Sequence, residues 1–169
     1  MALEIEYKFA VEELPPGTEE ELSFEPIRQG YLAAGPPNVR VRRKGERGFL
    51  TLKGTPSSNR EGEAIVRTEF EYEIPARDAD ELLAMAKTFV LKRRAKLDSG
   101  VELDIFEGPH AGLVFAEFEC AEGTPPPSPP EGWRWRDVTN DERYSNAALA
   151  RDGIPAGAPL IARFRERTR

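Results

Sequence analysis

Leu3-Glu4-Ile5-Glu6-Tyr7-Lys8-Phe9 places apolar side chains at every odd position and charged ones at every even position. Successive side chains of a strand point to opposite faces, so this alternation reads as a β-strand with one apolar and one ionised face. The same period recurs along the chain. Asn38 to Lys44 sets Val39 and Val41 against Arg40, Arg42 and Lys44, and Phe49 to Lys53 sets Leu50 and Leu52 against Thr51 and Lys53. Ile65 to Ile74 gathers Arg67, Glu69, Glu71 and Glu73 opposite Val66, Phe70, Tyr72 and Ile74. Val90 to Leu97 brings Lys92, Arg94 and Lys96 together, Val101 to Phe106 brings Glu102 and Asp104, and Leu113 to Cys120 brings Phe115, Glu117 and Glu119. With Pro26 to Ala33 this makes about eight strands.

Glycine-containing connections at Lys44-Gly45-Glu46-Arg47-Gly48 and Asp98-Ser99-Gly100 are hairpin turns, which argues for antiparallel pairing. The spacing predicts a helix over Asp78 to Phe89, capped by Asp78 with Leu82, Leu83 and Ala86 on its apolar stripe, and another over Ser145 to Arg151, closed by Gly153. Pro125-Pro126-Pro127-Ser128-Pro129-Pro130 reads as a stiff extended loop, and the chain from about residue 160 as a flexible tail. The fold class expected is α+β: an eight-stranded antiparallel β-barrel with a few flanking helices, one domain over residues 1–169.

The charges sort by sign. Carboxylates come as i, i+2 pairs (Glu4/Glu6, Glu69/Glu71, Glu102/Asp104, Glu117/Glu119), and so do cations (Arg40/Arg42, Lys92/Arg94). Like charges side by side on a sheet are unfavourable, and a solvent-facing surface intersperses signs. Such pairs become reasonable if they face a ligand. Carboxylate pairs suit hard cations such as Mg²⁺, Mn²⁺ or Ca²⁺, and Arg and Lys pairs suit phosphate oxygens. An eight-stranded barrel is just wide enough to hold one small ligand. A barrel lined with both signs is then a site for a metal-bound polyphosphate, with the apolar faces turned outward under the helices and the Trp133/Trp135 region.

Composition narrows the field. Of 169 residues, 39% are hydrophobic and 32% charged, and the net charge of −6 speaks against non-specific nucleic-acid binding. A single cysteine, Cys120, excludes an intrachain disulfide and a Cys-rich zinc site. The one histidine, His110, sits in Gly108-Pro109-His110-Ala111-Gly112 and reads as a solvated turn residue. Met1-Ala2-Leu3-Glu4 carries no signal-peptide pattern and no apolar run approaches membrane length, so a cytoplasmic protein without a membrane partner, monomer or homodimer, is expected.

In this order the motifs resemble the CYTH superfamily of triphosphate tunnel metalloenzymes. The signature E-x-E-x-K is Glu4-Ile5-Glu6-Tyr7-Lys8. It is followed by Arg28-Gln29-Gly30-Tyr31-Leu32, Val39-Arg40-Val41-Arg42, Leu50-Thr51-Leu52-Lys53, Arg67-x-Glu69-x-Glu71, Lys92-x-Arg94, Glu102-Leu103-Asp104-Ile105-Phe106-x-Gly108, Ala116-Glu117-Phe118-Glu119 and Val138-Thr139-x-Asp141-x-Arg143-Tyr144-x-Asn146. The resemblance implies a tunnel barrel, dependence on Mg²⁺ or Mn²⁺ (two ions), and a linear triphosphate as substrate. It implies that Lys8, Arg40, Arg42, Lys53, Lys92, Arg94 and Arg143 contact phosphate. It also implies that Glu4, Glu6, Glu117 and Glu119 hold metal, with Glu69, Glu71, Glu102 and Asp104 as further ligands or their supports. Arg93 and Ala95 depart from the family pattern, in which an aromatic often follows the arginine of the Lys92/Arg94 pair.

Hydrolysis by metal-activated water is the expected reaction, since phosphoryl transfer needs positioning and charge neutralisation more than covalent chemistry. Two roles are open to Lys8: binding phosphate, or helping to activate water through a hydrogen bond with Tyr31. Inorganic tripolyphosphate is the leading substrate. Thiamine triphosphate would need an aromatic platform at a tunnel mouth, for which Trp133 and Trp135 are candidates. Adenylate cyclase activity would need a base-specificity site, and a non-catalytic polyphosphate binder would not need so many carboxylates.

Overall fold

The computed structural model describes residues 2–56 and 61–165. The strands are β1 (Ala2–Glu13), β2 (Glu25–Ala33), β3 (Asn38–Lys44), β4 (Arg47–Lys53), β5 (Ile65–Ile74), β6 (Thr88–Lys96), β7 (Glu102–Glu107), β8 (Val114–Glu119) and β9 (Arg134–Asp137). The helices are α1 (Thr18–Glu21), α2 (Ala76–Met85), α3 (Asn146–Asp152) and α4 (Ala162–Arg165).

All pairings are antiparallel, and the order β5-β4-β3-β2-β6-β7-β8-β1 closes where β1 pairs back onto β5. This is the eight-stranded barrel that the alternation predicts. β1 can serve three partners because it is twelve residues long. Glu6 to Ala10 pair with β8, Ala2 to Glu6 with β5, and Phe9 to Glu13 with β9.

Closure turns the charged faces of β1 and β3 to β8 inward and their apolar faces outward, whereas β2 presents Ile27, Gln29 and Tyr31 to the inside and Arg28 to the outside. Tyr7, Phe9, Val11, Leu103, Ile105, Val114 and Ala116 form an outer core with Ile161 and Phe164. Over β3, Val41 packs with Ala79 and Leu83 of α2. That helix lies close because Gly30 and Gly48 stand beneath it: a Cβ at Gly48 would come within 2.7 Å of Ala79 Cβ and 2.9 Å of the Ile74 carbonyl oxygen. Inside, one end of the barrel is filled by Ala10, Val90, Phe106, Phe115, Val138, Tyr144 and Leu149.

Several sequence expectations are corrected. α2 begins and ends earlier than Asp78 to Phe89. Pro75 starts it without any side-chain cap, so Asp78 lies in its first turn, and Ala86 turns extended because Phe89 must pair with Gly30 on β2. β9 is an additional strand formed by the tryptophan region, whose rings cover the outside of β1: Trp135 stacks on Phe9 at 4.7 Å between centroids. The tail from about residue 160 is docked as far as Arg165. Phe164 is buried, and Arg163 donates to Glu19 and to the Leu14 and Pro15 carbonyls; Glu166 to Arg169 lie outside the described residues. His110 is buried rather than solvated, with Nε2 at 2.6 Å from the Leu149 carbonyl oxygen.

Candidate active site

The barrel encloses a cavity of about 580 Å³. Its wall includes Lys8, Arg40, Arg42, Lys53, Arg67, Lys92 and Arg94, and also Glu4, Glu6, Glu69, Glu71, Glu102, Glu117 and Glu119. These residues come from seven strands, every barrel strand but β2, and parity alone aims them all at one volume.

Strand register resolves the same-sign pairs. Glu4 lies opposite Arg67, Lys53 opposite Glu69, Lys8 opposite Glu117, and Arg94 opposite Asp104. Repulsion along each strand is offset by attraction across strands, so the pairs are tolerable without a ligand. That corrects the inference that only a bound partner makes them reasonable. Two acid–acid juxtapositions remain, Glu6 opposite Glu119 and Glu102 opposite Glu117.

On the basic side, Lys92 is 2% exposed and its Nζ donates to Asp104 Oδ2 at 2.5 Å and to Asn146 Oδ1 at 3.3 Å. Burial, together with Arg94, pulls its pKa down to about 8 despite Asp104. Arg94 grips Asp104 with two bonds of 2.6 and 2.7 Å, donates to Glu117 at 2.6 Å and pairs with Glu102. Asp104 is fully buried under these two cations, so it serves them as counter-ion. Glu71 plays a similar part on β5, accepting from Arg42 at 2.9 Å and from Thr51 at 2.8 Å, with Arg40 at 3.6 Å. Burial and the neighbouring Arg40 lower the Arg42 pKa to about 10.

Lys8 faces Glu117 at 3.4 Å and stands 5.6 Å from the centre of the Phe115 ring. Its backbone is pinned: its N–H donates to Thr139 Oγ1 and its carbonyl accepts from Val138, both at 3.0 Å. Tyr31 lines the cavity as expected, but its hydroxyl accepts from Gln29 Nε2 at 3.0 Å, with no bond to Lys8. Burial pushes Tyr31 up to about 12, so the phenol stays a proton donor at ordinary pH.

On the acidic side, burial favours the neutral form of Glu4, yet Lys53 at 2.7 Å and Arg67 at 2.5 Å hold its carboxyl well below the usual range. Burial likewise opposes ionisation of Glu117, and Lys8, Lys92 and Arg94 overcome it. Glu69 is raised by burial and by its hydrogen bond with Glu4, against the pull of Lys53. Glu119 is raised by burial and by Glu4, Glu102 and Glu6. As these side chains stand, no three acids among the described residues converge on a common point. The donor set nevertheless suits a hard divalent cation, being all carboxylate oxygen. Glu119, opposite Glu6, also has no ion pair among the described residues.

Arg143 is placed elsewhere than expected. Its side chain is 65% exposed, tied to Asp141 at 2.6 Å, and does not line the cavity. Conversely, sequence reasoning gave no role to Arg67, although its charged-face position on β5 was visible, nor to Gln29 and Thr51, whose parity aims them inward. Trp133 and Trp135 pack on the outer core and do not line the cavity.

A model of the CYTH domain matches residues 2–126. The chain belongs to the CYTH family. An inorganic triphosphatase of Acetivibrio thermocellus is 38% identical over 131 residues, 74% of this chain and 80% of that protein. One of Nitrosomonas europaea is 36% identical over 154 residues, 87% and 96% of the two chains. The crystal structure of the inorganic triphosphatase NE1496 superposes with a TM-score of 0.57 at 33% identity, covering 89% of this chain and 95% of that one. HpAC1 from Hippeastrum, 18% identical, shares the fold with a TM-score of 0.51 over 70% of this chain and 80% of its own.

Proposed function

We propose that this CYTH chain hydrolyses the terminal phosphoanhydride of a linear triphosphate, and that inorganic tripolyphosphate is its substrate. The observation that carries the reading is the cavity itself: a closed barrel whose wall is charged on seven strands and whose aromatic side chains are few, Tyr31 and Tyr144. A triphosphate satisfies such a wall with its own oxygens, whereas thiamine or a nucleobase would need a flat apolar surface. The tryptophans that could have supplied one cover the outside of β1. The two inorganic triphosphatases at 36–38% identity support the same substrate class.

In this reading Lys8, Arg40, Arg42, Lys53, Lys92 and Arg94 hold phosphate oxygens. Glu4, Glu6, Glu119 and Glu117 hold Mg²⁺ or Mn²⁺, with Glu69 and Glu102 beside them, and Asp104 and Glu71 keep the cations in place. When bound, the metal neutralises phosphate charge and makes water a better nucleophile. Water attacks the terminal phosphorus directly, because neither His110 nor Cys120 lines the cavity to offer a covalent route. Lys8 lies beside Glu117 and can hold the attacked phosphoryl group or take part in orienting water. Tyr31, fixed by Gln29, donates its proton to a phosphate oxygen. Residues beyond the family match act in the same unit, since Thr139 pins Lys8 and Asn146 reaches Lys92.

The test is phosphate release from tripolyphosphate, thiamine triphosphate and ATP with Mg²⁺ or Mn²⁺. Tripolyphosphate should be turned over fastest by at least an order of magnitude. Faster release from thiamine triphosphate would reassign the substrate, and no release from any of the three would defeat the reading.

A further inference from the structure

Arg67 sits in the middle of the acidic wall, 16% exposed, and the mechanism above leaves it without a task. Its Nε donates to Glu4 Oε2 at 2.5 Å and its Nη2 to Glu6 Oε1 at 2.8 Å. One guanidinium thus spans the two carboxylates on which the metal assignment rests, using oxygens that a cation would need. Glu4 is further held by Lys53, which bridges to Glu69 at 2.8 Å. Arg67 cannot give up this position by losing its proton, because an arginine stays charged at any ordinary pH. It can only move or be outcompeted. A guanidinium pushed off its carboxylates inside a barrel must find another anion, since leaving a buried cation unpaired is strongly unfavourable. Within the cavity, the anion that arrives together with the metal is the triphosphate.

We propose that Arg67 is the internal counter-ion of Glu4 and Glu6, and that it leaves them for a phosphate oxygen when a divalent cation enters. This rests on the triphosphatase reading and adds a coupling to it. Metal binding releases an anion-seeking arginine, and triphosphate binding removes the metal's competitor, so each ligand strengthens the other by the same factor. Arg67 therefore lowers the affinity of the tunnel for metal alone and raises its affinity for the metal–triphosphate pair.

The experiment measures Mn²⁺ binding by electron paramagnetic resonance without substrate, and tripolyphosphate binding by calorimetry in excess EDTA. Circular dichroism checks the fold of each variant. Arg67→Gln should bind Mn²⁺ about tenfold more tightly than the wild type, and Arg67→Lys, whose single ammonium spans two carboxylates poorly, a few-fold more tightly. In EDTA, Glu6→Gln should bind tripolyphosphate several-fold more tightly, and most of that gain should vanish in Glu6→Gln/Arg67→Gln, a cycle that separates arginine release from simple loss of negative charge. Arg67→Lys carries the test if the glutamine variant does not fold. Unchanged or weaker Mn²⁺ binding in a folded Arg67 variant, or a Glu6→Gln gain that survives in the double variant, overturns the role of Arg67 and leaves the triphosphatase reading standing. A wild type that binds neither Mn²⁺ nor tripolyphosphate overturns both.

Discussion

Asp104→Asn keeps the shape of the side chain and removes one charge from the most enclosed point of the tunnel. Asp104 accepts from Lys92 at 2.5 Å and from Arg94 at 2.6 and 2.7 Å, with no exposed surface. Breaking a buried ion pair from one side costs about 3–5 kcal/mol, because the remaining charge is left uncompensated. Arg94 retains Glu117 and Glu102, while Lys92 retains only the Asn146 amide oxygen among its hydrogen bonds, so the low end, about 3 kcal/mol, is expected. For a chain of this size that lowers the melting temperature by about 6–12 °C. Proton linkage gives a second signature. The Lys92 pKa falls on folding from 10.5 to about 8, so the native state binds fewer protons than the unfolded state between those values. Wild-type stability should therefore rise as pH increases from 8 toward 10, the full penalty being present below pH 8. Asp104 is the leading charge that keeps Lys92 protonated, so in the variant this rise should begin at lower pH. Urea unfolding of the metal-free protein from pH 6 to 10 measures both effects. A loss below about 1 kcal/mol at pH 7, with an unshifted pH profile, would mean that Asp104 is not the counter-ion of Lys92.

Three further outcomes follow from the same geometry. Tripolyphosphate hydrolysis should require Mg²⁺ or Mn²⁺ and stop in excess EDTA, with Ca²⁺ a poor substitute because of its looser coordination; full phosphate release with chelator present would remove the metal from the proposal. Lys8→Arg keeps a charge near Glu117 but cannot serve as a base, so a large fall in kcat with KM nearly kept would assign Lys8 to activating water, whereas retained turnover with the same pH profile would leave it as a phosphate ligand. Gly48→Ala should cost about 1–3 kcal/mol in urea unfolding, because its Cβ would press on Ala79 and the Ile74 carbonyl oxygen; a neutral result would show that α2 shifts freely on the barrel.

The charged lining was legible because a strand has period two, and the alternation from Leu3 to Phe9 needs no partner to be read. Other features were not legible because they depend on neighbours distant in sequence. Asp78 has the chemistry of a helix cap, but Pro75 starts α2. His110 belongs to a turn by its glycines, yet the Leu149 carbonyl 39 residues away draws it inside. Trp133 and Trp135 had the right chemistry for a ligand platform, and only β9 pairing on β1 showed that they face outward.

The sequence by itself determined which side chains face one another's volume: parity puts Glu4, Glu6 and Lys8 on one side of β1, and closure of the barrel makes that side the inside. Tertiary structure decided who pairs with whom. Register is set by the whole ring of strands, and a charge's role depends on what stands opposite. Asp104, grouped in sequence with the metal carboxylates, lies under Lys92 and Arg94, and Arg143, grouped with the phosphate cations, folds back onto Asp141 in solvent. Arg67, which the linear pattern left without a role, spans Glu4 and Glu6 because β5 comes from the far end of the sheet to close against β1.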